Sequence, residues 1–302
     1  MNKSDLEKII AIAEEGSMAR AAQKLFITQP ALSKCLTKME DELGEPLFVR
    51  RPSGLELTYP GSCFLKRAYQ IIRLYDEMEH EFCDLNQMQK GILKVGTAER
   101  LGAMVLPKVL KTFHTKYPNI HIEIVEASSH ILEEKLLMGA IDIAVLCLPL
   151  KNENVKYEVF YEDSVLAIAP ENHPVKNQAY EKNGKWYLPL EALRGRDFVM
   201  TKRGRKTREA AERILKYLGD DYRIYLESHN IETVVRLVAG GLGISLVPQV
   251  FADTYGTGNG ILGYHLEEKY NPFWQWAVAY CGTVGELSRP SRELYYILCG
   301  KD

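Results

Sequence analysis

The sequence has no hydrophobic run approaching the roughly 20 residues that a membrane-spanning helix needs. Its first ten residues, MNKSDLEKII, carry acidic side chains and not the apolar core of a secretory signal. The expectation is a cytoplasmic protein with no membrane partner. Six cysteines, at positions 35, 63, 83, 147, 281 and 299, include no CxxC pair, which fits reduced, mostly buried thiols. There is no P-loop, no GxSxG and no HExxH. The glycine-rich GGLGIS at 240–245 follows a helical stretch and precedes an apolar one, the reverse of a phosphate-binding loop. The seven histidines show no metal-ligand spacing with Cys, Asp or Glu. These absences leave no footing for an enzyme, a catalytic residue, a cofactor or a metal. Basic character is also missing from the chain as a whole, since the net charge is −2. A nucleic-acid partner therefore requires local positive charge.

What is present is an ordinary globular composition, 46% hydrophobic and 26% charged, over 302 residues, enough for about two domains. The informative stretch is AAQKLFITQPALSKCLTKME, residues 21–40. Its residues favour helix, yet Pro30 interrupts it. Two helices resolve the conflict. Ser17 caps a short one from about Met18 to Leu25, and Phe26 and Ile27 end it. Thr28 caps a second from about Gln29 to Leu43, with Pro30 in its first turn, where the missing N–H has no helical partner to lose. Gly44 closes the second helix. A short helix, a tight turn and a longer helix make a helix-turn-helix. Leu32, Leu36, Met39 and Leu43 are expected to pack inward, and Ala21 and Ala22 to let the helices cross closely. Gln29, Pro30, Ser33, Lys34, Thr37 and Lys38 then face outward, where a recognition helix meets base edges and phosphates. Arg20, Lys24, Lys34, Lys38, Arg50 and Arg51 concentrate positive charge in this region.

GEPLFVRRPSGLELTYPG, 44–61, reads as a β-hairpin wing. Strands at 47–51 and 55–58 are joined by Pro52, Ser53 and Gly54, with Arg50 and Arg51 placed for a phosphate or the minor groove. From about Pro60 to Met88 runs a helix. On it Phe64, Ala68, Ile71, Tyr75, Met78, Phe82 and Leu85 alternate by 4 and 3, the seam of a helix that pairs with its own copy.

GSMARAAQKLFITQPALSKCLTKMEDELGEPLFVRR resembles the winged helix-turn-helix of the LysR-type transcriptional regulators. The match runs through Ala21–Ala22, Gln29-Pro30-Ala31-Leu32-Ser33, Glu40, Leu43-Gly44 and Leu47-Phe48-Arg50, and the order and length of the remaining chain are similar too. The resemblance implies DNA contacts from Thr28, Gln29, Pro30, Ser33 and Lys34 and from Arg50 on the wing. The family often has arginine where Lys34 stands, and lysine offers a point charge in place of a fork.

After Gly91 the texture changes. Strands at 92–98, 120–127 and 141–148, with helices at about 103–117 and 129–138, indicate βαβ units. SVLAIAP, DFVMTK, RIYLES and GISLVP, with helices near 206–218 and 231–240, form a second set, and FWQWAVAYC returns to the first. Two α/β lobes joined by crossings make a hinged cleft. The family's effector domain has this architecture, similar to periplasmic solute-binding proteins.

The expected fold is therefore α+β multidomain. It comprises a winged helix-turn-helix at 1–60, a dimerisation linker helix at 61–90 and a two-lobed effector domain at 91–302. Lobe I covers about 91–163 and 268–302, and lobe II about 164–267.

Ligands of open α/β sheets lie beyond the strand ends, near helix N-termini. Those ends carry Thr97, Ala98, Ser128, Ser129, Thr201, Ser228, His229 and Asn230. Each is open to two readings, helix cap or contact to an organic anion. KRGRKTR, 202–208, presents Lys202, Arg203 and Arg205 at a helix start, where cations are unfavourable unless an anion is near. Either they attract an anionic effector or they form a solvated turn. Peroxide-sensing relatives in the family carry a cysteine pair in the second lobe, and no cysteine lies between 147 and 281. YEKNGKWYL, 180–188, reads as a surface excursion.

The expectation is a homodimeric or homotetrameric regulator that binds an interrupted inverted repeat in double-stranded DNA near a promoter, under control of a small-molecule effector. The alternative is a solute-binding sensor module whose helix-turn-helix serves only oligomerisation. That alternative calls for an apolar outer face on 29–38, where the sequence is polar.

Overall fold

The computed structural model describes residues 1–52, 54–84, 91–256, 258, 260–270 and 272–301. The chain divides into two compact units. One comprises Met1–Leu146, Leu150–Glu158 and Val278–Asp302; the other comprises Cys147–Pro149 and Val159–Ala277.

The first unit opens with helix α1 (Lys3–Glu15), started by an Asn2–Asp5 capping box and ended by Gly16 in the left-handed region. Helices α2 (Met18–Lys24) and α3 (Gln29–Leu43) follow. Ser17 and Thr28 cap them through their side-chain oxygens, Pro30 lies in the first turn of α3, and Gly44 ends it with φ 73°. Strands β1 (Phe48–Arg51) and β2 (Gly54–Leu57) pair antiparallel as the wing. Ser53 lies outside the described residues. Ile9, Ile12, Ala21, Ala22, Leu32, Met39 and Leu47 form one core, with Leu36 packed at its margin. Leu43 departs from expectation: it is 45% exposed. At the last turn of α3 the chain is already leaving for the wing, and the core beneath ends at Met39.

Helix α4 (Tyr59–Asp84) is the linker. Its first half packs on its own chain, with Ala68 buried and Phe64 against the core formed by α1, α2 and α3. Further along, Ile71 is half-buried, and Tyr75 and Met78 are exposed. Leu85 and Met88 lie outside the described residues, as does the side chain of Phe82.

Beyond the linker, β3 (Gly91–Thr97), β4 (Ile120–Glu126) and β5 (Ile143–Cys147) form a parallel set with β3 in the middle. Helices α5 (Glu99–Lys116) and α6 (Ser129–Met138) connect them. α5 starts before the expected 103, because Ala98 already serves as its N-cap. Strand β6 (Val155–Pro170) begins well before the expected SVLAIAP run and passes from the first unit into the second.

In the second unit, β7 (Tyr180–Lys182) and β8 (Lys185–Tyr187) form a hairpin. The surface excursion expected at 180–188 takes the form of this exposed hairpin. Next come β9 (Asp197–Thr201), α7 (Lys206–Leu215), β10 (Arg223–Ser228), α8 (Ile231–Ala239), β11 (Ser245–Pro248), α9 (Gln249–Gly256) and β12 (Ile261–Tyr264). β9 and β10 are parallel, while β11 and β12 run antiparallel to β6. Strand β13 (Phe273–Cys281) returns to the first unit, which α10 (Arg289–Cys299) completes. Among the described residues no helix is long and apolar enough to cross a membrane.

Candidate nucleic-acid interface and effector site

The DNA-facing candidates share one surface of α3. Thr28, Gln29, Pro30, Ser33, Lys34, Thr37 and Lys38 are all exposed, and Leu32 and Met39 anchor the opposite face. Thr28 accepts a hydrogen bond from the Ala31 amide at 3.4 Å, so its oxygen serves as the cap. Lys38 lies 3.7 Å from Glu42, one turn on. The outer face is polar along its length, unlike a helix built only for association.

The wing is tied to this helix by Glu40, whose carboxylate accepts from the backbone amides of Leu47 at 2.7 Å and Phe48 at 3.3 Å. Glu40 thus fixes where β1 starts relative to α3, a role its place in the motif did not disclose. Arg50 and Arg51 are exposed on β1, and Arg51 is 3.7 Å from Glu56 across the hairpin. The positive cluster is smaller than the sequence suggests. Lys24 pairs with Glu14 at 2.8 Å and Glu15 at 3.3 Å, and Arg20 binds the Glu15 carbonyl. Those two cations hold α2 to α1.

Phe26 ends α2 as expected, but its exposure and conformation were not legible in the sequence. It is 96% exposed, with φ 55°, in the turn between α2 and α3. Bulky side chains rarely adopt that conformation. The turn is set by Phe26 and Ile27 amides donating to the carbonyls of Gln23 and Ala22.

In the first unit the effector candidates meet at two neighbouring strand ends. Thr97 ends β3 opposite Glu126 of β4. Ala98 starts α5, and Ser128 and Ser129 start α6. Neither Ala98 nor Ser128 makes a side-chain cap hydrogen bond. Thr97 and Ser129 are buried. A Cβ added to Gly102 would come within 2.6 Å of Thr97 Cγ2, so the glycine leaves room for the threonine.

The second unit uses its candidates differently. Thr201 and Ser228 face each other across β9 and β10. Thr201 Oγ1 is 2.8 Å from Thr207 Oγ1. Ser228 Oγ accepts from the Asn230 amide at 3.1 Å, and Asn230 caps α8 by accepting from Glu232 at 2.9 Å. These are the cap roles, filled within the chain. His229 is exposed.

Within the KRGRKTR run, part of the charge is met internally. Lys206 donates to the Pro149 carbonyl at 2.6 Å and to Glu209 at 3.1 Å. Arg203 is 3.7 Å from Glu212. Arg208, only 2% exposed, reaches Glu212 and Glu227 at 2.7 Å each and the Thr201 carbonyl at 3.0 Å. Buried arginine demands such partners. Lys202 and Arg203 border a groove of about 690 Å³ along β10, shared with Arg208, Tyr225 and Glu227. Arg205 is exposed at the N-cap of α7.

Cys147 is buried at the end of β5, and burial pushes its thiol up to about 12 against the weaker pull of Lys206. Such a thiol has almost no thiolate with which to react. Among the described residues no cluster of His, Cys, Asp and Glu is arranged to hold a metal.

Residues 4–62 match the family described as bacterial regulatory helix-turn-helix protein, lysR family, and residues 86–281 match the LysR substrate binding domain. The chain belongs to the LysR family. It is a DNA-binding transcriptional regulator with an effector-binding domain for a small molecule. A probable RuBisCO transcriptional regulator of Trieres chinensis is 31% identical over 246 residues, covering 78% of this chain and 77% of the relative. The Escherichia coli (strain K12) transcriptional dual regulator OxyR is 29% identical over 249 residues, covering 82% of this chain and 79% of its own. Among solved structures, a full-length OxyR variant from Pseudomonas aeruginosa has a TM-score of 0.76 at 24% identity, covering 99% of this chain and 94% of that one. CbnR in complex with its target DNA has a TM-score of 0.63 at 20% identity, with both chains fully covered.

Proposed function

We propose that this LysR-family regulator acts in the cytoplasm as a homodimer, or a homotetramer built from dimers. It binds an interrupted inverted repeat through Gln29, Pro30, Ser33, Lys34 and Arg50, with Thr28, Thr37, Lys38 and Arg51 at the margins. The division into DNA-binding domain, linker helix and two-lobed effector domain belongs to the same reading. Paired α4 helices hold two recognition helices at a fixed spacing, which suits a palindrome. The effector is an organic anion.

One observation carries the effector assignment. α5 and α6 start side by side at the ends of β3 and β4, each without a side-chain cap. Helix-start amides left in that state favour a carboxylate, and Thr97, Ser128 and Ser129 supply hydroxyls around it. Peroxide sensing through a second-lobe cysteine pair is not part of this reading. Two of its relatives are hydrogen peroxide-inducible genes activators, but this chain has no cysteine between 147 and 281.

The test begins with genomic fragments retained by the purified protein. A shared interrupted palindrome supports the regulator; uniform retention that only salt weakens would overturn it. Melting is then followed with panels of organic acids and of uncharged analogues. A binding acid at a hundred times its Kd stabilises by about 2.7 kcal/mol. Thr97→Ala should abolish that shift and leave DNA binding intact. A response to neutral analogues alone would sink the anion assignment.

A further inference from the structure

Helix α6 joins the two ends of the proposed mechanism within one chain. Its first turn lies at Ser128 and Ser129. Its inner face, Leu132 and Leu136, packs in a core with Ile141, Ala144 and Leu146. Its last turn leaves that core. Met138 and Ala140 pack with Leu65 and Tyr69 of α4, Ile10 and Ala13 of α1, and Leu57 of the wing. Gly139 lies beside Tyr69, where an added Cβ would make an ordinary 3.8 Å contact with Tyr69 Cβ.

From Tyr69 the path continues through hydrogen bonds. The Tyr69 hydroxyl donates to Glu14 at 2.9 Å. The other oxygen of Glu14 accepts from Lys24 at 2.8 Å, and Lys24 is the last residue of α2. Lys135 of α6 adds its positive field at Glu14. The turn after Lys24 sets the start of the recognition helix.

α6 is also held at mid-length. Glu133 is 2% exposed, and one carboxylate oxygen accepts from the amides of Lys151 and Asn152, both at 2.8 Å. Among the described residues its other oxygen has no hydrogen-bond partner.

We propose that α6 is the element that transmits effector occupancy to the DNA-binding domain of the same chain, through Tyr69, Glu14 and Lys24. The inference rests on the effector reading above. A helix of ten residues is a stiff rod of about 15 Å, so a small shift at its first turn reappears at Met138 and Ala140. Those residues pack against both the linker helix and α1, so the shift reorients the recognition helix.

Coupling between two ligands is reciprocal. The test therefore uses DNA, the ligand in hand, and reads the effector end. Hydrogen exchange is measured on the full-length protein, free and bound to a retained genomic fragment. Binding should change exchange in the first turn of α6 and at 151–152 by about fivefold or more. Tyr69→Phe removes the hydroxyl and keeps the ring. It should bind the fragment with near-native affinity and lose the exchange response at α6. Glu14→Gln, which keeps the shape of the side chain, should do the same, and guards against a folding defect in the first variant. Fragment binding by the native chain with unchanged exchange at α6 would overturn the coupling and leave the regulator reading standing. A native response in both folded variants would overturn the path through Tyr69. Failure to retain any discrete fragment would instead defeat the proposed function itself.

Discussion

At the scale of single residues, the turn between α2 and α3 carries a local cost. Phe26 occupies a left-handed conformation and buries almost nothing. An L-residue there costs about 1–2 kcal/mol, and asparagine tolerates it far better. Phe26→Asn should therefore stabilise the DNA-binding domain by about 0.5–1 kcal/mol, seen as a higher urea midpoint for its transition. A lower midpoint would show that the ring has packing the exposure does not reveal. The proposed DNA contacts separate by chemistry. Arg50→Ala should weaken all sequences evenly and lower the salt slope of binding by about one. Ser33→Ala should leave the slope alone and reduce discrimination between sites; titrations at four salt concentrations distinguish the two. Glu14 adds a pH signature. Burial pushes its carboxyl up, but Lys24 and Tyr69 outweigh that and leave it below the ordinary value. A depressed carboxyl contributes stability above the unfolded glutamate pKa, near 4.3, and loses it as pH falls through the lower folded value. Glu14→Gln should thus cost stability at pH 7, with the difference from the native chain closing in acid. A constant gap across pH would rule out that linkage.

At the scale of elements, close approach decides what substitution can do. α4 starts under the wing, where Thr58 Oγ1 accepts from the Gly61 amide at 3.0 Å. A Cβ on Gly61 would fall 2.0 Å from the Leu47 carbonyl oxygen. Gly61→Ala should cost about 1–3 kcal/mol by forcing α4 away from β1; a melting temperature equal to native would show that the wing yields freely. The same scale shows what the sequence disclosed. Thr28-Gln29-Pro30 marked the start of α3 because cap and proline act locally. Ser288-Arg289-Pro290 carries the same signal for α10, and Ser288 indeed accepts from the Ser291 amide, yet the pattern was not read there. Asn183-Gly184, at φ 54° and 73°, is the turn pair that a tight hairpin requires. Its three-residue arms are too short to display alternation, so the hairpin was missed. The early half of β6, VKYEVFYED, mixes exposed and half-buried residues after the buried Val155. Arg208 was illegible for another reason: the same charged run supplies solvated residues and a buried one, and only tertiary partners separate them.

At the scale of the whole molecule, the family fixes the general activity and the exposed seam of α4 bears on assembly. Phe64 and Ala68 are occupied within the chain, but Tyr75 and Met78 present apolar surface outward at heptad spacing. Apolar side chains repeated on one side of a long helix gain most by meeting the same side of a second copy. Pairing also explains how a chain of net charge −2, with two of its local cations neutralised by Glu14 and Glu15, holds a DNA site. One recognition helix has few cations. Two tethered ones act at an effective concentration set by the linker, so the pair gains about a hundredfold or more over either alone. Met78→Lys isolates this effect, because Met78 is 48% exposed and the change removes little packing within the chain. The variant should sediment as a smaller species than the native protein and keep its melting behaviour at low concentration. It should lose about a hundredfold in affinity for the full palindrome while binding an isolated half-site like the native chain. Equal half-site binding is the decisive control, since a damaged DNA-binding domain would lose both. A variant that keeps the native assembly and the native affinity for the palindrome would remove Met78 from the seam and with it the proposed pairing of α4.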